Sequence, residues 1–279
     1  MASLSFPRRA ILAGATALAM VGAALPFQQA NAQGDLLIAP TRVILDGRRG
    51  TEVILSNIGS EEATYRVDLE LRRMSSDGQL SDVDVAQADP TEQAALDMIR
   101  FAPRRVVLPP GQPQAIRIAA RAPAGLPDGE YRAHMAFRAI PKPQPAETAS
   151  DAQGVTIALV PVYAISIPII VRLGNISAQI VLDHAGIANR PEGKYFELVL
   201  NRSGKASTFG QLRVFAKGSD KPVLQVAGVA VYPELTKRLF SLRLSDEQAA
   251  ALRGPVHIEY SEMPEDGGKL IAELDTTLD

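Results

Sequence analysis

The chain contains no cysteine and no tryptophan, and aromatic residues make up only 5% of it. Without cysteine there is no disulfide, no thiolate metal ligand, no thiol nucleophile and no lipid-modified thiol. Histidine is nearly as scarce: His134, His184 and His257 stand alone, at none of the spacings by which one strand face or one helical turn gathers metal ligands. Ser203-Gly204-Lys205 lacks the rest of a phosphate-binding loop, and acid pairs such as Glu61-Glu62 read as solvated loop charge. With no catalytic constellation the chain is not expected to be an enzyme, and it calls for no cofactor and no metal. A formal net charge of −2 leaves no basic surplus for nucleic acid.

The opening is the one place that looks like a targeting segment. Arg8 and Arg9 precede an apolar stretch from Ala10 to Leu25, and Ala30-Asn31-Ala32 has the small-x-small form of a cleavage site. Residues 1–32 are therefore expected to be a signal peptide, cut after Ala32. Arg8-Arg9 followed by Ala10-Ile11-Leu12 has some twin-arginine character, but a plain secretory signal accounts for the same residues. No later segment reads as a membrane anchor, so the mature form is expected to be exported and to have no membrane span.

The rest is strands. Leu36 to Ala39 is apolar, Pro40 interrupts, and Val43 and Leu45 resume an alternation, the pattern of a strand that switches sheets at a sandwich edge. Thr51–Asn57 is a second strand. Ala63–Met74 alternates cleanly, with Tyr65, Val67, Leu69 and Leu71 on one side and Arg66, Asp68, Glu70 and Arg72 on the other. The polar stretch Ser75–Asp97 reads as a loop with a helical turn. Strands follow at Ile99–Pro110, read as one, and at Gln114–Arg121. The strand Glu130–Pro141 has Tyr131, Ala133, Met135 and Phe137 inward and Arg132, His134 and Arg138 outward. Seven further strands are expected between Ser177 and Leu274, with a short helix over Asp246–Leu252. Many short strands with almost no helix between them predict an all-β chain of two tandem sandwiches, 33–173 and 174–279.

The stretch Gly154–Arg172 stands apart. From Val155 to Val171 it is uncharged and dominated by Val, Ile and Thr, which favour strand over helix. Pro161 and Pro168 argue further against a transmembrane helix. Bulky residues fall on odd positions, among them Ile157, Leu159, Pro161, Tyr163 and Ile165. At about 3.3 Å per residue such a strand would reach roughly 55 Å, too long for one small sandwich. Its N-terminal part should overhang, and Pro161 places it at a sheet edge. A long apolar edge is an aggregation hazard unless something covers it.

Pro103-Arg104-Arg105-Val106-Val107-Leu108-Pro109-Pro110-Gly111-Gln112 with Ile116-Arg117-Ile118, Gly129-Glu130-Tyr131-Arg132 running to Ile140-Pro141, and Ser166-Ile167-Pro168-Ile169-Ile170-Val171-Arg172 carry a likeness. Through them the chain resembles the PapD-like periplasmic pilus-assembly chaperones, from about Ile38 to Arg172 and more loosely to the end. It is closer to the archaic, spore-coat-like branch. The resemblance implies two immunoglobulin-like domains set in an L, a periplasmic location, and pilin or fimbrial subunits lacking a strand as partners. It also implies delivery of those subunits to an outer-membrane usher. Ile157, Leu159, Pro161 and Tyr163 match the strand that such chaperones lend to a subunit, a form of β-augmentation. Arg42 matches one of two basic residues that hold the subunit's terminal carboxylate. The second, a lysine, would fall at Pro168 and is missing. Glu130 and Arg172, with Glu265 or Asp266, match buried inter-domain charges. The rival expectation is a free-standing periplasmic interaction or structural protein whose edge strand is covered within the chain or in a self-capped homodimer.

Overall fold

The computed structural model describes residues 36–141 and 162–279. The expected signal peptide lies outside the described residues. The described chain is all-β, with two short helices and two single 3-10 turns.

In the first half, β1 (Leu36–Ala39) pairs antiparallel with β3 (Thr51–Asn57), whereas β2 (Val43–Leu45) runs parallel to β10 (Ala164–Leu173). The chain thus changes sheets between Ala39 and Val43, where Pro40 breaks the alternation. The remaining strands are β4 (Ala63–Met74), β5 (Leu80–Val83), β6 (Ile99–Ala102), β7 (Arg105–Leu108), β8 (Pro113–Ala120) and β9 (Gly129–Ile140). One sheet has the order β1-β3-β8-β6. The other runs β2-β10-β9-β4-β5, with β7 also on β4. Their facing sides close one core, in which Leu55, Val67, Ile116, Met135, Phe137 and Ile169 are buried.

Two expectations for this half need correction. Ile99–Pro110 is two strands in different sheets: β6 pairs with β8 and β7 with β4. Pro103 separates them because it has no N–H for a ladder, and the Arg104 carbonyl accepts instead from the Val67 N–H (2.9 Å). Ser75–Asp97 is more than a loop: it holds β5 and most of α1 (Pro90–Met98). The helix starts on a capping box. Asp89 accepts from the Glu92 N–H (2.8 Å) and Glu92 accepts from the Asp89 N–H (2.9 Å), with Pro90 at the first position. Ala95 and Met98 close one end of the core.

The second half holds seven strands: β11 (Ala178–Arg190), β12 (Gly193–Gly204), β13 (Thr208–Ala216), β14 (Leu224–Val231), β15 (Lys237–Arg243), β16 (Gly254–Ser261) and β17 (Leu270–Leu278). Helix α2 (Asp246–Ala251) lies between β15 and β16. Their sheets are β11-β12-β15 and β14-β13-β16-β17. Phe196, Leu198, Leu212, Ile258 and Tyr260 lie in the shared core. Strands β11 and β12 are the longest of this half. β11 continues through a register shift after Asp183, where His184 takes a φ of 48°. Among the described residues no strand of the first half pairs with one of the second, so each half is its own sandwich.

His134 departs from expectation. It lies on the polar parity of β9 and was expected at the surface, yet it is only 2% exposed and neither ring nitrogen has a hydrogen-bond partner. Burial, then the nearby Arg132 and Arg72 charges, push its pKa down to about 3. A folded-state pKa below the ordinary 6.5 means that the unfolded chain binds the proton more readily. The contribution of His134 to stability is therefore complete above pH 6.5 and is lost as pH falls toward 3, by at most about 1.4 kcal/mol per pH unit. Denaturant titrations of wild type and His134→Leu across that range should give a shallower acid-side slope for the variant; equal slopes would place the acid sensitivity elsewhere.

Close backbone approach generates a second prediction. A Cβ at Gly210 would lie 2.0 Å from the Ser261 carbonyl oxygen, at the register shift between β13 and β14. Gly210→Ala must displace backbone and should lower the melting temperature by several degrees, about 1–3 kcal/mol. Gly186→Ala meets nothing within 4 Å and should stay within about 0.5 kcal/mol of wild type.

Candidate functional site

Strand β10 pairs with β9 along its whole length, from Ala164–Arg138 to Leu173–Gly129, but with β2 only at Ile169–Val171. On the β2 side, the backbone from Val162 to Pro168 therefore faces no strand among the described residues. Pro168 has no N–H to leave unpaired there. The odd side chains cross from core to solvent along this strand. Ile167 and Ile169 are buried, while Ile165 is 39% exposed and Tyr163 is 50% exposed. Of the four residues expected to be lent to a partner, Tyr163 is thus exposed at the open end of β10. Ile157, Leu159 and Pro161 lie outside the described residues.

The even face of β10 has a different task. Ile170 is fully buried in a small apolar cluster with Met74 from β4 and Ala230 and Tyr232 from the second sandwich. Arg172 donates through Nε to Glu130 Oε2 (3.0 Å) and through Nη2 to the Ser207 carbonyl (3.0 Å). The Glu130 side chain has no exposure, and its Oε2 also accepts from the Ser207 N–H and hydroxyl (both 2.9 Å). A buried carboxylate needs this many donors, because desolvation otherwise exceeds what one ion pair returns.

The structure thus brings Glu130 and Arg172 together, but the expected acidic third partner does not join them. Glu265 and Asp266 form a 3-10 turn (Pro264–Asp266) with no ion pair to either residue among the described residues, and Ser207 takes that place. A second polar contact was not foreseen. Arg132, assigned to the solvent side of β9, lies 3.5 Å above the Tyr232 ring and donates to both Glu234 oxygens (2.6 and 3.3 Å). Glu234 in turn accepts from the Met74 N–H (3.0 Å). Alternation along β9 marks these residues only as away from the core of its own sandwich. Ser207 sits in an aperiodic loop and gave no signal.

Arg42, between β1 and β2, lies 4.8 Å from the Phe209 ring centre, and its Nε is buried without a hydrogen-bond partner. Its pKa is lowered, first by burial and then by the Arg172 charge, with Asp266 and Glu130 acting the other way. Arg42 and Arg172 line one cavity of about 340 Å³ between the sandwiches, together with Thr208, Phe209, Glu262 and Asp266. A second cation therefore shares the Arg42 cavity. Guanidiniums suit a carboxylate, which they can bind through paired hydrogen bonds.

No protein-family model and no curated protein matches the chain. Solved structures are similar to it. The CsuC–CsuE chaperone–tip adhesion subunit pre-assembly complex, from the archaic chaperone-usher Csu pili of Acinetobacter baumannii, is 15% identical, with a TM-score of 0.47. That match covers 88% of this chain and 100% of that one. The YadV chaperone is 15% identical at a TM-score of 0.46, over 88% and 100% of the two chains. The Salmonella enterica SafA pilin in complex with the SafB chaperone is 14% identical at 0.45, over 87% and 96%.

The Glu130–Arg172–Ser207 contact generates a prediction. Arg172→Ala leaves a fully buried carboxylate with only the Ser207 donors and should cost about 2–4 kcal/mol in denaturant unfolding. Adding Glu130→Gln to that variant should recover part of the loss; a fully stable Arg172→Ala would show that the pair contributes nothing.

Proposed function

We propose that this chain is a non-enzymatic periplasmic chaperone. It binds pilus or fimbrial subunits that lack a strand, stabilises them by lending them the segment before β10, and hands them to an outer-membrane usher. The observation that carries the reading is the half-open β10. Among the described residues its backbone on the β2 side faces no strand from Val162 to Pro168, and the sequence before it continues the apolar odd parity through Ile157, Leu159 and Pro161 to Tyr163. In this reading the ladder supplies affinity and the odd side chains fill the subunit's groove. Arg42, assisted by Arg172, receives the subunit's terminal carboxylate, and Glu130 with Arg172 holds the two domains, 33–173 and 174–279, in the geometry that keeps the cavity open.

The test is co-production with a strand-deficient pilin, read as soluble subunit recovered with the chaperone. Burying one Ile or Leu contributes roughly 1.5–3 kcal/mol, so Ile157→Asp and Leu159→Asp should abolish recovery, whereas Thr156→Asp and Ala158→Asp on the opposite parity should be much milder. Arg42→Ala should reduce recovery with little change in the melting temperature of the free protein. Wild type that never solubilises such a subunit, but forms a dimer that Leu159→Asp dissociates, would favour the alternative of a periplasmic interaction protein with a self-capped edge.

A further inference from the structure

The cavity between the sandwiches holds charges of both signs that do not meet. Its lining includes Arg42, with its buried Nε unpartnered, and Arg172. It also includes Glu262, which follows β16, and Asp266, on the 3-10 turn after it. Glu262 is half-buried, and neither acid forms an ion pair among the described residues. Arg172 is satisfied by Glu130 and Ser207. Glu262 is tied to its own turn, since its N–H donates to the Lys269 carbonyl (2.8 Å) and its carboxylate lies against Gly267. Among the described residues no ion pair joins these acids to the two arginines, and the cavity they line has a volume of about 340 Å³. Phe209 and Ile271 add apolar lining.

A ligand that complements both pairs of charges carries an anion and a cation a few ångströms apart on an apolar stem. A lone carboxylate complements only the guanidiniums and leaves the half-buried Glu262 unpaired. We propose that the cavity selects a polypeptide C-terminus with a lysine or arginine as its last or next-to-last residue, the carboxylate facing Arg42 and Arg172 and the basic side chain facing Glu262 and Asp266. This rests on the reading of the cavity as a carboxylate site and adds the side-chain specificity to it.

The probes are three fluorescent decapeptides alike except at the last residue: Lys with a free carboxylate, Leu with a free carboxylate, and Lys with a carboxamide. Binding to the mature protein is followed by anisotropy at low salt. The Lys acid should bind at least about fivefold more tightly than the Leu acid, a coupling of about 1 kcal/mol, and the amide should bind far more weakly than either. Glu262→Gln should bring the Lys-to-Leu ratio close to one. Glu265→Gln, which removes the same charge from outside the cavity, should change the ratio less. Equal affinity for Lys and Leu acids, with the amide still rejected, overturns the basic-residue inference and leaves the carboxylate reading standing. An amide that binds as well as the acid, or no binding of any peptide at millimolar concentration, overturns both.

Discussion

A carboxylate with no solvent exposure has to be neutralised wherever it lies, and Glu130 is neutralised from two sandwiches at once. Arg172 comes from β10 of the first and Ser207 from the loop before β13 of the second. Neither sandwich alone supplies enough donors for that charge, so the folded first half is completed by the second. The same contact holds Arg172 against the second sandwich, which puts its guanidinium on the wall of the Arg42 cavity. The shape and charge of that cavity therefore depend on a hydrogen-bond set that it does not itself contain.

Strand β10 is where these requirements converge. Ile167, Ile169 and Val171 fill the first core and Ile170 fills the apolar cluster shared with the second sandwich. Arg172 makes the polar contact, and the backbone before Ile169 faces no strand on one side among the described residues. A strand anchored so firmly at its C-terminal end can present an unpaired edge at its N-terminal end without unravelling, because the residues that hold it are not those that would pair with a partner. A proline at position 168 fits this division, since it removes a donor from the open edge.

Much of this was legible because a two-residue period reports burial directly. Tyr65, Val67 and Leu71 on β4, and Tyr131, Met135 and Phe137 on β9, are buried on the parity that the sequence displays. The switch of sheets at Pro40 was legible because proline is incompatible with a continuous ladder. Helix α1 could have been recognised from Asp89-Pro90 followed by Glu92, but its polar composition disguised it. The junction was mostly illegible. Alternation distinguishes the core side of a strand from the other side, but it does not say whether the other side meets water or a second sandwich. Hence Arg132 and His134 read as surface residues although both are largely withdrawn from water. Ser207, Phe209 and Glu234 reach the junction by tertiary packing from loops and from a neighbouring strand, and no local pattern marks them.

The position of Arg172 also bears on why position 168 carries no cation. A cation at position 168 would sit on the even face of β10, in register with the buried His134 on β9. His134 has no hydrogen-bond partner there and is already pushed toward its neutral form by burial and by Arg132 and Arg72. A further unpaired charge on this face would add repulsion and desolvation with no acceptor to offset them. Four residues on, the same face reaches Glu130, and a guanidinium there is fully compensated. The cation adjacent to Arg42 thus stands where the surrounding electrostatics tolerate it. Burial, and then the neighbouring Arg172 charge, lower the pKa of Arg42, whose Nε has no hydrogen-bond partner; an anion beside it would offset both effects and accept hydrogen bonds of its own.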